Sequence, residues 1–455
     1  MSKELSTYKF KGENGRDEFK REPIAEKIIT LLMSDIDLSP MIIDGNWGTG
    51  KSEFCHKLIN KFKDEHSNDG QIIYIDAFKA DHADNPLMTI IAEIMTLIPD
   101  EEKKEGFLKK ALPVIRYGTK AILKAGVSHI MRQNADDIAD EYEKEIQDAA
   151  NTAIDATVTA LLKDHEEAEK NLKALQSLLE EQAKDKPIII FIDELDRCRP
   201  DFSVHMLEVI KHTFNVKNVK FVLVTNTTQL KAAINHAYGS SINASRYLDK
   251  FIKFTIALPD KFEHNFQPQI SSVAYFNQLI KQSKTLSQTE FINLQTAPTK
   301  LVHELITYNQ LSLREVETFV RYLEIANALN INFTEKTIFG YKMLFIIGIF
   351  ILCFKPNLYS DIKNNDIDAN EIMNLLGLNN LNSVKINGIT GIILLLASHA
   401  QHNDTQVDPI IQKYQTDYGK PLSKVYFDWG FDESSYFQPI LSIIDTMHLI
   451  KGNNE

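Results

Sequence analysis

The stretch Gly45-Asn46-Trp47-Gly48-Thr49-Gly50-Lys51-Ser52 fills the pattern G-x-x-x-x-G-K-[ST], directly after the apolar run Met41-Ile42-Ile43 and ahead of a helical pattern. That context is demanding. Glycines let backbone N–H groups close round phosphate oxygens, and the opening helix adds a dipole that favours negative charge. Lys51 is placed to reach the β and γ phosphates, and Ser52 to ligate Mg²⁺.

Four further runs share the grammar of Met41-Ile42-Ile43: Ile72 to Ile75, Ile188 to Ile192, Val219 to Val224 and Phe251 to Ile256. Near-continuous apolar runs alternating with helical patterns mark parallel strands buried on both faces. The expected fold is α/β: a doubly wound, mostly parallel five-stranded core with a long helical insertion and an α-helical C-terminal region.

The organisation follows from where this grammar breaks. Residues 1–99 hold a helical lead-in and the first half of the core, and 187–259 the second half. Between the second and third strands lie about 110 residues, too many for a loop, so 100–186 reads as a helical insertion. Lys103 to Arg132 is basic, the part after it is acidic, and a heptad-like spacing runs through Val158, Leu161, His165, Ala168, Leu172, Leu175 and Leu179. After Pro259 the pattern turns helical, giving a lid over 260–330 and a C-terminal helical domain over 331–455. The block Met343 to Phe354 falls short of the ~20 apolar residues that span a bilayer and reads as a core helix.

At the end of the third run stand Asp193 and Glu194. An Asp there can hold the Mg²⁺ shell, and an adjacent Glu can polarise an attacking water, a pairing that favours hydrolysis over transfer to a metabolite. Asn226, after the fourth run, is a candidate γ-phosphate sensor, although Asn and Thr are also ordinary turn residues. Arg197, Arg246 and Arg314 compete to stabilise transition-state charge. Arg246 could reach a neighbouring subunit's site, and Arg314 could close on nucleotide within its own chain.

These residues resemble the KAP family of P-loop NTPases, relatives of AAA+ and STAND ATPases. The likeness rests on Gly45–Ser52, on Tyr74-Ile75-Asp76-Ala77-Phe78 with Asn85-Pro86-Leu87, on Phe191 to Pro200, and on the segments from Val209 to Ile252. The run Asp193-Glu194-Leu195-Asp196-Arg197-Cys198 is the most diagnostic. The resemblance implies ATP and Mg²⁺ as ligands, ATP hydrolysis, and a regulatory role in bacteria, including phage exclusion. Family insertions often carry membrane-spanning helices; the basic residues between Lys109 and Arg132 leave no such run here. The family also usually has an acidic residue where this chain has Asn226.

The expected function is therefore an ATP-hydrolysing switch or sensor that forms a homo-oligomer and signals to an effector protein. Two alternatives are a scaffold docked peripherally on anionic lipid through Phe107 to Arg132, and a DNA-transaction ATPase. A formal charge of -12 on 455 residues argues against a general grip on nucleic acid, leaving only a local patch. Three widely spaced cysteines and an N-terminus without an apolar leader point to the cytoplasm.

Overall fold

The run Ile188–Asp193 is buried at every position because the strand it forms has structure on both sides. Ile188, Ile190 and Ile192 belong to one apolar cluster and Ile189 and Phe191 to another, as the two-residue period of a strand requires. Each such burial contributes roughly 2 kcal/mol.

The computed structural model describes residues 8–12, 15–83, 85–109, 111, 169–170, 172–264, 267–329, 331, 333, 336–378, 387–400, 424–427 and 436–451. The basic stretch from Arg116 to Arg132, the heptad positions Val158 to Ala168 and the Asn-rich pairs at 379–386 lie outside them. The chain divides into two units. One comprises Met1–Asp17, Arg21–Asn46 and Gly50–Leu258; the other comprises Glu18–Lys20, Trp47–Thr49 and Pro259–Glu455.

The first unit runs α1 (Glu22–Met33), β1 (Met41–Asp44), α2 (Lys51–Glu65), β2 (Gln71–Asp76), α3 (Ala77–Ala80), α4 (Pro86–Met95), β3 (Ile188–Asp193), α5 (Pro200–Thr213), β4 (Val219–Thr225), α6 (Thr227–Tyr238), α7 (Ala244–Leu248) and β5 (Phe254–Ala257). Helical residues also occur at 101–109 and 172–182. The five strands form one parallel sheet in the order β2-β3-β4-β1-β5. Ile28, Leu32, Phe54 and Leu58, from α1 and α2, cluster with one set of strand residues; Ile90, Ile94, Leu207 and Ile210, from α4 and α5, cluster with the other. In doubly wound sheets with helices on both faces, ligands bind outside the carboxyl ends of the strands.

The start of α1 shows how a helix end is satisfied from outside the helix. Arg21 offers no side-chain cap, and the Asp17 carboxylate instead accepts the Arg21 N–H at 2.7 Å and the Glu22 N–H at 3.0 Å.

The fifth strand departs from expectation. Phe251 and Ile252 do not belong to it, because their N–H groups donate to the Leu248 carbonyl at 2.9 and 3.1 Å and complete the turn after α7. The strand proper, Phe254–Ala257, is an edge strand with three of its four residues exposed. Burial on both faces therefore holds for the inner strands and fails at this edge.

At the amino ends of the strands lies a cleft of about 880 Å³ lined in part by Lys211, Lys217, Lys220, Lys250 and Lys253. Two helices end there, and their last carbonyls attract cations. Lys220 Nζ donates to the Leu32 and Ser34 carbonyls, both at 2.7 Å, at the end of α1, and Lys211 lies in the last turn of α5.

The second unit opens with a hairpin, not a helix: β6 (Lys261–His264) pairs antiparallel with β7 (Gln267–Ile270). Both segments are polar and one contains Pro268, so no apolar alternation advertises them. There follow α8 (Ser271–Gln282), α9 (Ala297–Tyr308), α10 (Leu313–Ala328), α11 (Phe339–Phe354), α12 (Pro356–Asn364), α13 (Ala369–Asn374), α14 (Gly388–Ser398) and α15 (Gln438–Lys451). Their shared core includes Phe276, Leu305, Phe319, Ile347, Phe350, Leu395 and Ile444. Met343 to Leu352 is buried almost throughout within that core, and Lys342 beside it is paired with Glu290. Among the described residues no single helix is long and apolar enough to cross a membrane, and α11 and α12 are bent by 119° at the break between them.

Candidate functional site

The chain leaves β1 at Asp44 and enters α2 at Lys51. Gly48 (φ 75) and Gly50 (φ 80) both sit in the left-handed region that side chains with a Cβ rarely adopt. Gly50 is the N-cap of α2 and supplies no side-chain acceptor, so the first-turn N–H groups are left to an external anion. Trp47–Thr49 group with the second unit, within which the Leu313 N–H donates to the Gly48 carbonyl at 2.9 Å. Trp47 is 47% exposed.

Lys51 is buried, and its Nζ donates to the Gly45 carbonyl at 2.7 Å and the Asn46 carbonyl at 3.1 Å. Burial pulls its pKa below the ordinary lysine value, while attraction to Asp196, Asp193 and Asp44 acts in the opposite sense. The same three carboxylates are anchored around it. Asp44 accepts the Thr227 N–H at 2.9 Å and the Thr227 hydroxyl at 3.0 Å, and Asp196 accepts the Thr225 hydroxyl at 3.1 Å.

Asp193, 1% exposed at the end of β3, is surrounded by donors. Its Oδ1 accepts the Glu194 N–H at 2.8 Å and its Oδ2 accepts the Tyr74 hydroxyl at 3.1 Å, with the Ser52 side chain close by. Burial pushes this carboxyl up to about 6; the nearby Ser52 hydroxyl and the Glu194 N–H favour its charged form, and the Glu194 charge works against it.

Glu194 has φ 61, an uncommon conformation for a residue with a side chain. Its N–H is shared between Asp193 Oδ1 and the Val224 carbonyl at 3.2 Å. It does not cap the short 3-10 turn that follows; its carboxylate pairs with the Arg197 guanidinium at 3.1 Å. Both side chains remain partly exposed, so a water can reach the carboxylate.

Of the residues singled out from sequence, Lys51, Ser52, Asp193, Glu194 and Arg197 come together. Asn226 is 6% exposed, and its side-chain oxygen accepts the Thr228 and Gln229 N–H groups at 3.0 and 3.4 Å, which makes it the N-cap of α6. Arg246 is exposed on α7. Arg314 is exposed in the first turn of α10, within the Ser312–Glu315 capping box, and its Cβ lies beside Gly48 of the phosphate loop within the second unit. Sequence reasoning passed over Asp44, Tyr74 and Asp196. A charged residue ending an apolar run was the available signal for Asp44; Tyr74 depends on the pairing of β2 with β3.

The oxygen donors fit a hard divalent cation. Among the described residues no group of three or more His, Cys, Asp or Glu side chains could enclose a metal. Ser52 and Asp193 alone match Mg²⁺, which is commonly held by one or two side chains together with substrate phosphates. All three cysteines are free, and burial raises the Cys55 thiol well above its usual range and Cys198 up to about 12, so neither is a ready nucleophile.

A search among curated proteins finds no match to this chain. The family model described as the KAP family P-loop domain matches residues 21–330, from the start of α1 past the end of α10. With that match spanning more than half of the sequence, and with a five-stranded parallel sheet carrying the phosphate loop, the chain belongs to the KAP family of P-loop NTPases.

Proposed function

We propose that this chain binds ATP with Mg²⁺ and hydrolyses it to ADP and phosphate, using turnover to switch between states. The observation that carries this is the juxtaposition at the end of β3: Asp193, with Ser52 close by, lies next to Glu194, whose carboxylate is oriented by Arg197.

The first-turn N–H groups of α2 and the Lys51 ammonium would bind the phosphate oxygens. Ser52 and Asp193 would hold Mg²⁺, which would supply charge neutralisation at the phosphates. Glu194 accepts a proton from water as the water oxygen bonds to the γ phosphorus, while the bond from that phosphorus to the bridging β–γ oxygen breaks and ADP leaves with the electron pair. Arg197, near both Lys51 and Glu194, is supported by its position for a role at this centre.

Glu194→Gln keeps the shape and the backbone bonds while removing the base. Turnover of radiolabelled ATP is expected to fall about 10²-fold or more, with nucleotide affinity within about twofold of wild type. Unchanged turnover would refute the assignment.

The homo-oligomeric, effector-coupled switch is supported by the family likeness and by the exposed Arg246 on α7. Light scattering with and without ATP and Mg²⁺ tests it, a nucleotide-independent mass counting against it. A defence role rests on the resemblance alone, and is tested by phage plating on cells carrying wild type or Lys51→Ala.

A further inference from the structure

Tyr74 was given no role by the motif, yet its hydroxyl touches the carboxylate on which the proposed Mg²⁺ chemistry depends. The register of the sheet explains the contact. Tyr74 on β2 is paired with Phe191 on β3, two residues before Asp193, which is itself paired with Asp76. Alternation places Tyr74 and Asp76 on the same face of β2, and the long phenol reaches along that face until its hydroxyl donates to Asp193 Oδ2 at 3.1 Å. The opposite oxygen, Oδ1, is taken by the Glu194 N–H at 2.8 Å. One donor on each oxygen fixes the rotation of a carboxylate that would otherwise turn about its last torsion, which has a broad profile.

Tyr74 is braced in turn. The His56 ring, from α2, stands 4.5 Å from the Tyr74 ring centre, and Tyr8 stacks on His56 at 5.8 Å. Tyr8 belongs to a segment strapped along α2: its carbonyl accepts from Asn60 at 2.9 Å, Lys9 pairs with Asp64 at 2.7 Å, and Arg16 pairs with Glu53 at 2.9 Å. The helix that begins with Lys51 and Ser52 therefore also holds the ring that orients Asp193.

We propose that Tyr74 is a positioning residue for the divalent cation, holding Asp193 in the orientation that lets it share the metal with Ser52, with His56 and Tyr8 as its support. The inference rests on the Mg²⁺–nucleotide reading above. It locates cation affinity partly outside the phosphate loop and the Asp193-Glu194 pair, on an aromatic side chain that neither motif includes.

The test is binding of a fluorescent ATP analogue by the full chain, titrated with Mg²⁺ and repeated in EDTA. In Tyr74→Phe the ring stays and only the hydroxyl leaves. The Mg²⁺ concentration at half-effect should rise about five- to tenfold, the scale of one ordinary intramolecular hydrogen bond, while affinity in EDTA stays within about twofold. A Mg²⁺ response identical to wild type overturns the inference, as does equal weakening in both conditions, which would make Tyr74 a packing residue. Should Tyr74→Phe not fold, His56→Gln carries the test: it removes the bracing ring and leaves the hydroxyl. A smaller rise in Mg²⁺ requirement with unchanged EDTA affinity supports the inference, and an unchanged requirement refutes it. If the wild-type chain itself binds the analogue equally with and without Mg²⁺, the cation reading fails and the inference falls with it.

Discussion

Lys51 and Lys220 serve opposite ends of one sheet with the same local bonding. Each ammonium donates to two backbone carbonyls, Gly45 and Asn46 for the first, Leu32 and Ser34 for the second. Burial lowers the pKa of both, and aspartates pull both back up. The difference lies in the helix each one meets. Lys220 caps the carboxyl end of α1, where a cation is favoured; Lys51 stands at the amino end of α2, where the dipole opposes it. At the amino ends of the strands the Lys220 ammonium is already matched to the carbonyls of a helix end. At the carboxyl ends, uncapped N–H groups and a lysine share a space with Asp193, Asp196 and Asp44, an arrangement that a phosphate with its counter-cation would balance.

The comparison breaks most sharply at Lys51. Lys51→Ala should lower turnover by at least about 10² to 10³-fold, the range for losing a charge-stabilising donor at a reacting centre, and weaken nucleotide binding, while the thermal midpoint stays near wild type. Retained binding, measured with the fluorescent analogue, would mean that the loop is a structural turn.

A second break concerns pH at the same end. The Asp193 carboxyl sits at about 6, raised from its unfolded value, so this group favours the fold most at low pH and that contribution is lost as pH rises through about 6. Cation binding runs the other way, because only the ionised carboxylate is a ligand. The Mg²⁺-dependent part of nucleotide affinity should therefore decline as pH falls below about 6, approaching tenfold per unit, and Asp193→Asn should remove that slope. A flat Mg²⁺ response between pH 5 and pH 7 in the wild type, read by the same titration, would put the metal elsewhere.

Much of the fold's centre was legible in sequence, for physical reasons that also explain where legibility stopped. Inner strands such as β3 and β4 are buried on both faces and spell themselves as near-continuous apolar runs. The edge strand β5 looked the same on paper because Phe251 and Ile252 are apolar, but they are apolar for the sake of a helix end. The β6–β7 hairpin is held by local backbone pairing between polar residues, which leaves no periodic signal. At the site, Lys51, Ser52, Asp193 and Glu194 are close in two short motifs, so spacing alone assembles them. Tyr74 reaches Asp193 only through strand register, and the Asn226 cap is a matter of where one side-chain oxygen points; neither is written in spacing.

The smallest expected effect sharpens the comparison from the other end. Lys220→Met keeps most of the aliphatic stem and removes the ammonium that serves the Leu32 and Ser34 carbonyls. Because those carbonyls lie at a partly solvated edge, water can replace part of what is lost, and the cost should be about 1 to 2 kcal/mol, a few degrees in thermal midpoint. Nucleotide affinity and turnover should stay within about twofold, since nothing at the carboxyl ends of the strands has changed. A loss of ATP binding with little loss of stability in Lys220→Met, as in Lys51→Ala, would show that the two ends are coupled through β4 and that the amino-end lysine is not merely a helix cap. A loss of stability alone, measured by thermal denaturation beside the binding titration, would leave the two lysines with the separate tasks that their helices assign them.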